Sequence, residues 1–127
     1  MPSGIGAETD SATADTGGLA AGDVVNLYNN AGTFTARKAD ATSAGKEANG
    51  FVLGAVTAAA AATVHRPGQT ITGLTGLTAG TVYYLDTTAG KVVSTPPSGM
   101  GNVVQHIGVA TSATTLIFNP GEPVTLA

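Results

Sequence analysis

Residues 19–32 read LAAGDVVNLYNNAG, and residues 77–90 read LTAGTVYYLDTTAG. Aligned without a gap at an offset of 58, the two stretches share seven of fourteen residues: Leu19/Leu77, Ala21/Ala79, Gly22/Gly80, Val24/Val82, Leu27/Leu85, Ala31/Ala89 and Gly32/Gly90. The same offset pairs Phe34 with Val92 and Gly50-Phe51 with Gly108-Val109. Beyond an indel, TVHRPG (63–68) echoes LIFNPG (116–121). The chain therefore reads as an internal repeat, about 19–68 and 77–121. Two copies that each leave half a hydrophobic surface would close on each other as a pseudo-two-fold barrel or sandwich.

The texture within each copy is that of β-structure. DVVNLYN and TFTARKA flank Asn30-Ala31-Gly32, and TVYYLD and KVVST flank TTAG (87–90). Each is a pair of alternating strands around a turn. Gly32 and Gly90 supply the positive φ that such turns require. GFVLGAV (50–56) is apolar at successive positions, as a strand buried on both faces would be. ATVHRPG and QTITGL flank the turn dipeptide Pro67-Gly68, NVVQHIGVA and TTLIFNP complete the second copy, and Pro96-Pro97 stops KVVST. Short strands punctuated by Gly or Pro every 8 to 12 residues predict an all-β barrel or sandwich. The run AAAAA (58–62) is too short to nucleate a helix and reads as a tight strand approach where only methyl groups fit. Residues 39–50 read as a surface loop, and residues 19–127 as a single β domain.

Residues 1–18 carry Ile5 as their one sizeable apolar side chain after Met1. Ser, Thr, Ala, Gly and Asp bury too little surface to offset the entropy of ordering, so this segment reads as a flexible arm, ordered at most against a partner.

Composition narrows the function. Charged residues make up 10% of the chain, against about 25% in ordinary globular domains, and there are three Phe, three Tyr and no Trp. So thin a set of large side chains predicts support from outside the monomer, through an oligomer or a larger surface. The net charge is −3, and Arg37, Lys38, Lys46, Arg66 and Lys91 are scattered, so no basic stripe exists to neutralise nucleic-acid phosphates. No apolar stretch is long enough for a membrane-spanning helix, and the N-terminus lacks the basic start and apolar run of an export signal. With no cysteine, there is neither a disulfide framework nor a thiol site.

Catalytic chemistry has little to work with. His65 and His106 are the two histidines, and a zinc site would need further ligands beside them. The carboxylates Glu8, Asp10, Asp15, Asp23, Asp40, Glu47, Asp86 and Glu122 stand apart in no pairing motif. GLTGLTAG (73–80) and AGKE (44–47) both fail the phosphate-loop spacings, and no serine sits in a nucleophile elbow. No catalytic, cofactor-binding or metal-binding residue is assigned. An enzyme reading would have to rest on His65, His106 and Asp86 converging in space.

Four features carry a family resemblance. They are Gly22-Asp23-Val24-Val25, the return strand Asn49-Gly50-Phe51-Val52, the strand Gly80 to Leu85 with Tyr83-Tyr84, and the Val103–Ala110 run containing QHIGVA. Over roughly residues 19–120 the chain resembles the capsid cement, or head-decoration, proteins of tailed phages. The resemblance implies a compact β domain on the outer face of the capsid, bound to the major capsid protein. Such proteins often act as trimers at three-fold positions and hold shell subunits together against internal DNA pressure. It also implies a virion location after synthesis in the host cytoplasm, with no cofactor, nucleic acid or membrane partner and no transferable active site. A Thr- and Ala-rich, charge-poor surface suits that role, because neighbours can cover it without desolvating unpaired charges. The first copy, with more loop, is expected to face the partner. The competing reading is a tail-fibre or baseplate β domain for host-surface adhesion, whose aromatic platforms would be Tyr28, Tyr83 and Tyr84.

Overall fold

The computed structural model describes residues 9–127, and all secondary structure among them is β. The first seven strands are β1 (Thr9–Ala14), β2 (Val24–Asn30), β3 (Thr33–Lys38), β4 (Gly50–Phe51), β5 (Ala61–His65), β6 (Thr70–Ile71) and β7 (Val82–Leu85). They are followed by β8 (Val92–Val93), β9 (Val103–Val104), β10 (His106–Ala110), β11 (Leu116–Phe118) and β12 (Val124–Thr125). The first five close a barrel in the order β1-β3-β2-β4-β5, and a second sheet runs β6-β11-β10-β7-β8. β12 pairs with β9 in a small ribbon beside them.

The repeat is visible in the hydrogen bonding. Val24 faces Phe51 and Val25 faces Gly50 across β2 and β4. At the offset of 58, Val82 faces Val109 and Tyr83 faces Gly108 across β7 and β10. The Gly22 N–H donates to Val52 O at 2.9 Å, and the Val52 N–H to Asp23 O at 3.0 Å. The matching bonds, Gly80 to Ala110 and Ala110 to Thr81, are 2.8 and 3.0 Å long. Gly22 and Gly80 have the same φ of 83°, a left-handed turn that an L side chain resists. Strand for strand, β1 to β5 correspond to β6, β7, β8, β10 and β11, with the same neighbours in each sheet except that β1 pairs with β3 while β6 and β8 are opposite edges.

The halves do not, however, close on each other into one shared barrel. The first closes on itself, because β1 pairs with β5 over five residues and with β3, in parallel, over two. Its counterpart β6 is two residues long and pairs only with β11, so the second half stays an open sheet. Residues 9–14 of the expected flexible arm are thus a barrel strand of the chain's own fold, and residues 1–8 lie outside the described residues. Small side chains make this possible: Ala12, Ala14, Ala36 and Ala62 fill the barrel interior with Val25, Val52 and Val64. A composition that looks too poor to order a free segment is the one a narrow interior accepts.

A second core joins the halves. Val24 and Phe51 point out of the barrel onto Ile71, Leu85, Ile107, Leu116 and Phe118 of the open sheet. The Phe51 ring stacks on His65 (centroids 5.2 Å apart) and meets Phe118 edge-on at 5.3 Å.

Several local expectations are corrected. The 39–49 segment is a loop with residues 42–45 exposed, as expected, but its ends are packed: Ala39, Ala41 and Ala48 are buried, and Ala41 donates to Asp86 O and accepts from the Val103 N–H. The alanine run divides, Ala58 to Ala60 forming an exposed turn and Ala61-Ala62 beginning β5. In GFVLGAV only Gly50 to Val52 are buried, while Leu53 is 41% exposed. Strands on either side of Pro67-Gly68 belong to different sheets, so that turn is the crossover between halves. The echo of TVHRPG in LIFNPG is one residue out of register. Phe51 faces His65 and its counterpart Val109 faces Ile117, which makes His65 equivalent to Ile117.

The β2–β3 hairpin turns on Ala31 (φ 52°) and Gly32 (φ 94°), the two successive positive values of a type I′ turn. Alanine is a poor occupant of that conformation and asparagine a favoured one. Ala31→Asn is therefore expected to stabilise the protein by about 0.5 kcal/mol or more, a fraction of the left-handed penalty, read as a higher denaturation midpoint in urea.

Candidate functional site

The polar residues that the fold concentrates lie at the seam between the halves. Asp23 follows the Gly22 turn, and its side chain is fully buried. Its Oδ2 accepts from the Ala20 N–H at 2.8 Å and lies 3.5 Å from Lys38 Nζ on β3. Its Oδ1 accepts from Lys91 Nζ at 3.3 Å, across the seam from the second half. Gly90 packs against this carboxylate so closely that a Cβ there would sit 2.8 Å from Asp23 Cγ. Gly90 is thus required for contact as well as for its φ of 81°. The repeat puts Thr81 at the position equivalent to Asp23, so the second half has no such fastening.

Gln105 is the other buried fastening, at 3% exposure. Its Oε1 accepts from the Ala48 N–H at 2.8 Å and its Nε2 donates to Ala48 O at 3.1 Å, so its amide serves the loop as a strand neighbour would. Arg37 is held similarly: Nε donates to Asn26 Oδ1 (3.0 Å), the guanidinium donates to Gly45 O (3.1 Å), and its Cζ lies 4.1 Å from the Tyr28 ring centroid. Desolvation, then the hydrogen bond and negative charge of Asp15, raise the Tyr28 hydroxyl above its ordinary pKa, while Arg37 pulls the other way.

These groups fasten the fold. Asp23 lines none of the described clefts. The cleft beside it, of about 280 Å³, is bordered by Asp15, Arg37, Lys38, Asp40 and Lys46. Replacing Asp23 with alanine removes one backbone bond and leaves two ammonium groups without their carboxylate. Because Lys38 and Lys91 reach water, the expected cost is about 2–3 kcal/mol, at or below the low end for a broken buried pair. The midpoint of urea denaturation measures it, with Asp23→Asn expected to lose less, since it keeps an acceptor for Ala20.

The residues on which an enzyme would rest have separate surroundings. His65 stacks on Phe51 with Nδ1 at 3.3 Å from Gln69 Oε1. His106 meets the Tyr84 edge at 6.3 Å and has Nδ1 at 3.3 Å from Asn119 O. The Asp86 backbone carbonyl caps Ala41, and its carboxylate has Thr87 as a hydroxyl neighbour. Among the described residues no three His, Asp or Glu side chains cluster as metal ligands would, and no helix is long and apolar enough to cross a membrane.

Of the three tyrosines, Tyr83 is buried in the seam core, its hydroxyl accepting from the Thr78 N–H at 2.9 Å. That withdraws it as a sugar platform, and Arg37 covers one face of Tyr28. Two clefts remain. One, of about 370 Å³, lies at the barrel end between Thr13, Asp15, Asn30 and Ala59. The other, of about 500 Å³, is bordered by Glu47, Arg66, Pro67, Pro120 and Pro123. Both are broad and open.

Sequence reading singles out none of Asp23, Gln105 or Arg37 as fastenings. One signal for Asp23 was available, since charge appears there at a position where the other copy has threonine. No family model and no curated protein matches the chain.

Proposed function

We propose that the protein is a capsid cement, or head-decoration, protein of a tailed phage. In this reading it binds as a homo-oligomer, a trimer, to the outer face of a shell built from a major capsid protein, and it resides on the virion after synthesis in the host cytoplasm. One observation carries the reading: the buried polar side chains are spent on the fold itself. Asp23, Asn26, Thr35 and Gln105 all bond to backbone or to neighbouring side chains. Among the described residues, no buried side-chain nitrogen or oxygen lacks a partner. A catalytic or ligand-binding centre keeps polar groups aimed at what it binds. A part whose task is to hold a shape against a neighbour does not need them. The resemblance over residues 19–120 supplies the neighbour.

The test is cosedimentation of the purified protein with empty capsid shells. The expected result is binding at a fixed ratio per shell subunit, together with a higher shell melting temperature. Protein that stays in the supernatant and instead binds host cells or glycans would replace this reading with adhesion.

A further inference from the structure

Charge is distributed very unevenly over the two halves. Nine charged residues fall between Asp10 and Arg66, whereas residues 67–85 and 92–121 contain none. The second sheet is built from those two uncharged segments, and only Asp86 and Lys91, in the β7–β8 turn, interrupt them. Its inner face, with Ile71, Leu116, Phe118 and Leu85, forms the seam core. Its outer face is a set of residues in direct register: Thr70 opposite Ile117, Ile117 opposite Val109, and Val109 opposite Val82. His106, Tyr84 and Val93 form the next row, with the half-buried His106 as its polar end. Ile117 is 40% exposed, and Val82, Tyr84, Val93 and Val109 are half-buried.

Of the other exposed large apolar side chains, Phe34 and Leu53 lie in the charged half, and Met100 and Val124 lie in the second half but outside this sheet. This face instead carries the apolar row Ile117-Val109-Val82 across three neighbouring strands. Interface cores are depleted in charge and enriched in such side chains, most strongly between like subunits. Whatever covers the face must bring no charge, since any it brought would be buried without a counter-charge. The same face on another copy meets that requirement, and the nine-charge half does not.

We propose that the outer face of the β6-β11-β10-β7-β8 sheet is where copies of this chain associate, with Ile117 and Val109 of each copy meeting at the symmetry axis. The proposal rests on the oligomer in the reading above and is independent of the shell. It places the charged barrel half outward, away from the axis.

The test measures mass in solution by light scattering for the wild-type chain, Ile117→Lys, and Lys46→Glu on the charged half. The wild type and Lys46→Glu are expected near three times the 12.4 kDa chain mass, and Ile117→Lys at one chain mass with an unchanged circular-dichroism spectrum. Because the chain has no cysteine, Ile117→Cys gives a second readout that does not depend on Ile117→Lys folding. On mild oxidation it should form a disulfide-linked pair within the oligomer, while Leu53→Cys should not. A monomeric wild type overturns the proposal. So does an oligomer that survives Ile117→Lys and leaves Cys-substituted position 117 uncrosslinked, which would move the interface elsewhere. Wild-type shell binding, measured separately, decides the cement reading in either case.

Discussion

Gly108→Ala is expected to remove at least about 3 kcal/mol of stability, the upper range for overpacking a tight interior. The reason is backbone geometry. A Cβ on Gly108 would run into the carbonyl oxygen of Ile117 on β11, and a carbonyl fixed in a strand ladder cannot swing aside as a side chain can. β10 and β11 would have to separate, opening the centre of the second sheet. The urea midpoint should fall far below wild type, or the variant should fail to accumulate as folded protein. Gly54→Ala is the matched control, since nothing lies within 4 Å of its added Cβ and its φ is not left-handed. A Gly108→Ala protein as stable as that control would refute the close approach of the two strands. The repeat extends the argument to Gly50, where a Cβ would sit 2.8 Å from His65 O and 2.5 Å from Val64 Cγ1.

Phe51→Ala is expected to cost about 3–5 kcal/mol, as for other fully buried aromatic truncations. Phe51 is wholly buried, and its ring is shared by the two halves through His65 on one side and Phe118 on the other. Its removal leaves a cavity in the seam between two sheets, where collapse would require both to shift. With typical domain stabilities of about 5–15 kcal/mol, this is a large share of the total. Phe51→Leu should recover most of the loss. Calorimetry distinguishes the alternatives: one lowered transition means the halves unfold together, and two transitions mean that the seam holds them less tightly than this packing implies.

Much of the architecture was legible because backbone constraints leave residue signatures. Gly22 and Gly80 recur at the same offset because both occupy the same left-handed turn, and Gly50 and Gly108 because both face a carbonyl. Val24, Phe51, Val82 and Val109 recur because each pair meets across a ladder. The closing strand was not legible. TDSATA (9–14) contributes only methyl groups to the barrel, and in sequence such residues look the same whether they line a narrow interior or none. The one-residue offset between His65 and Ile117 was hidden too, since matching Pro-Gly pairs downstream align more readily than the strands do. Of the seam, Asp23 looked like an ordinary turn residue, because its lysine partners lie 15 and 68 positions away. The sequence holds no site motif, and the association face proposed above, built from Ile, Val, Tyr and Thr, would leave none to read.

Closure of the barrel by β1 also bears on synthesis. Every strand the barrel needs has been made once residue 65 is, so during translation the first half can complete its pairing while the second is still in the ribosome. At that stage Val24 and Phe51 lie bare on its outside, and they offer the emerging sheet a preformed template. They are also the sticky surface of the half-made chain. A pause in translation after residue 65 has cleared the ribosome, but before the second sheet has, would prolong that exposure and favour aggregation between nascent chains.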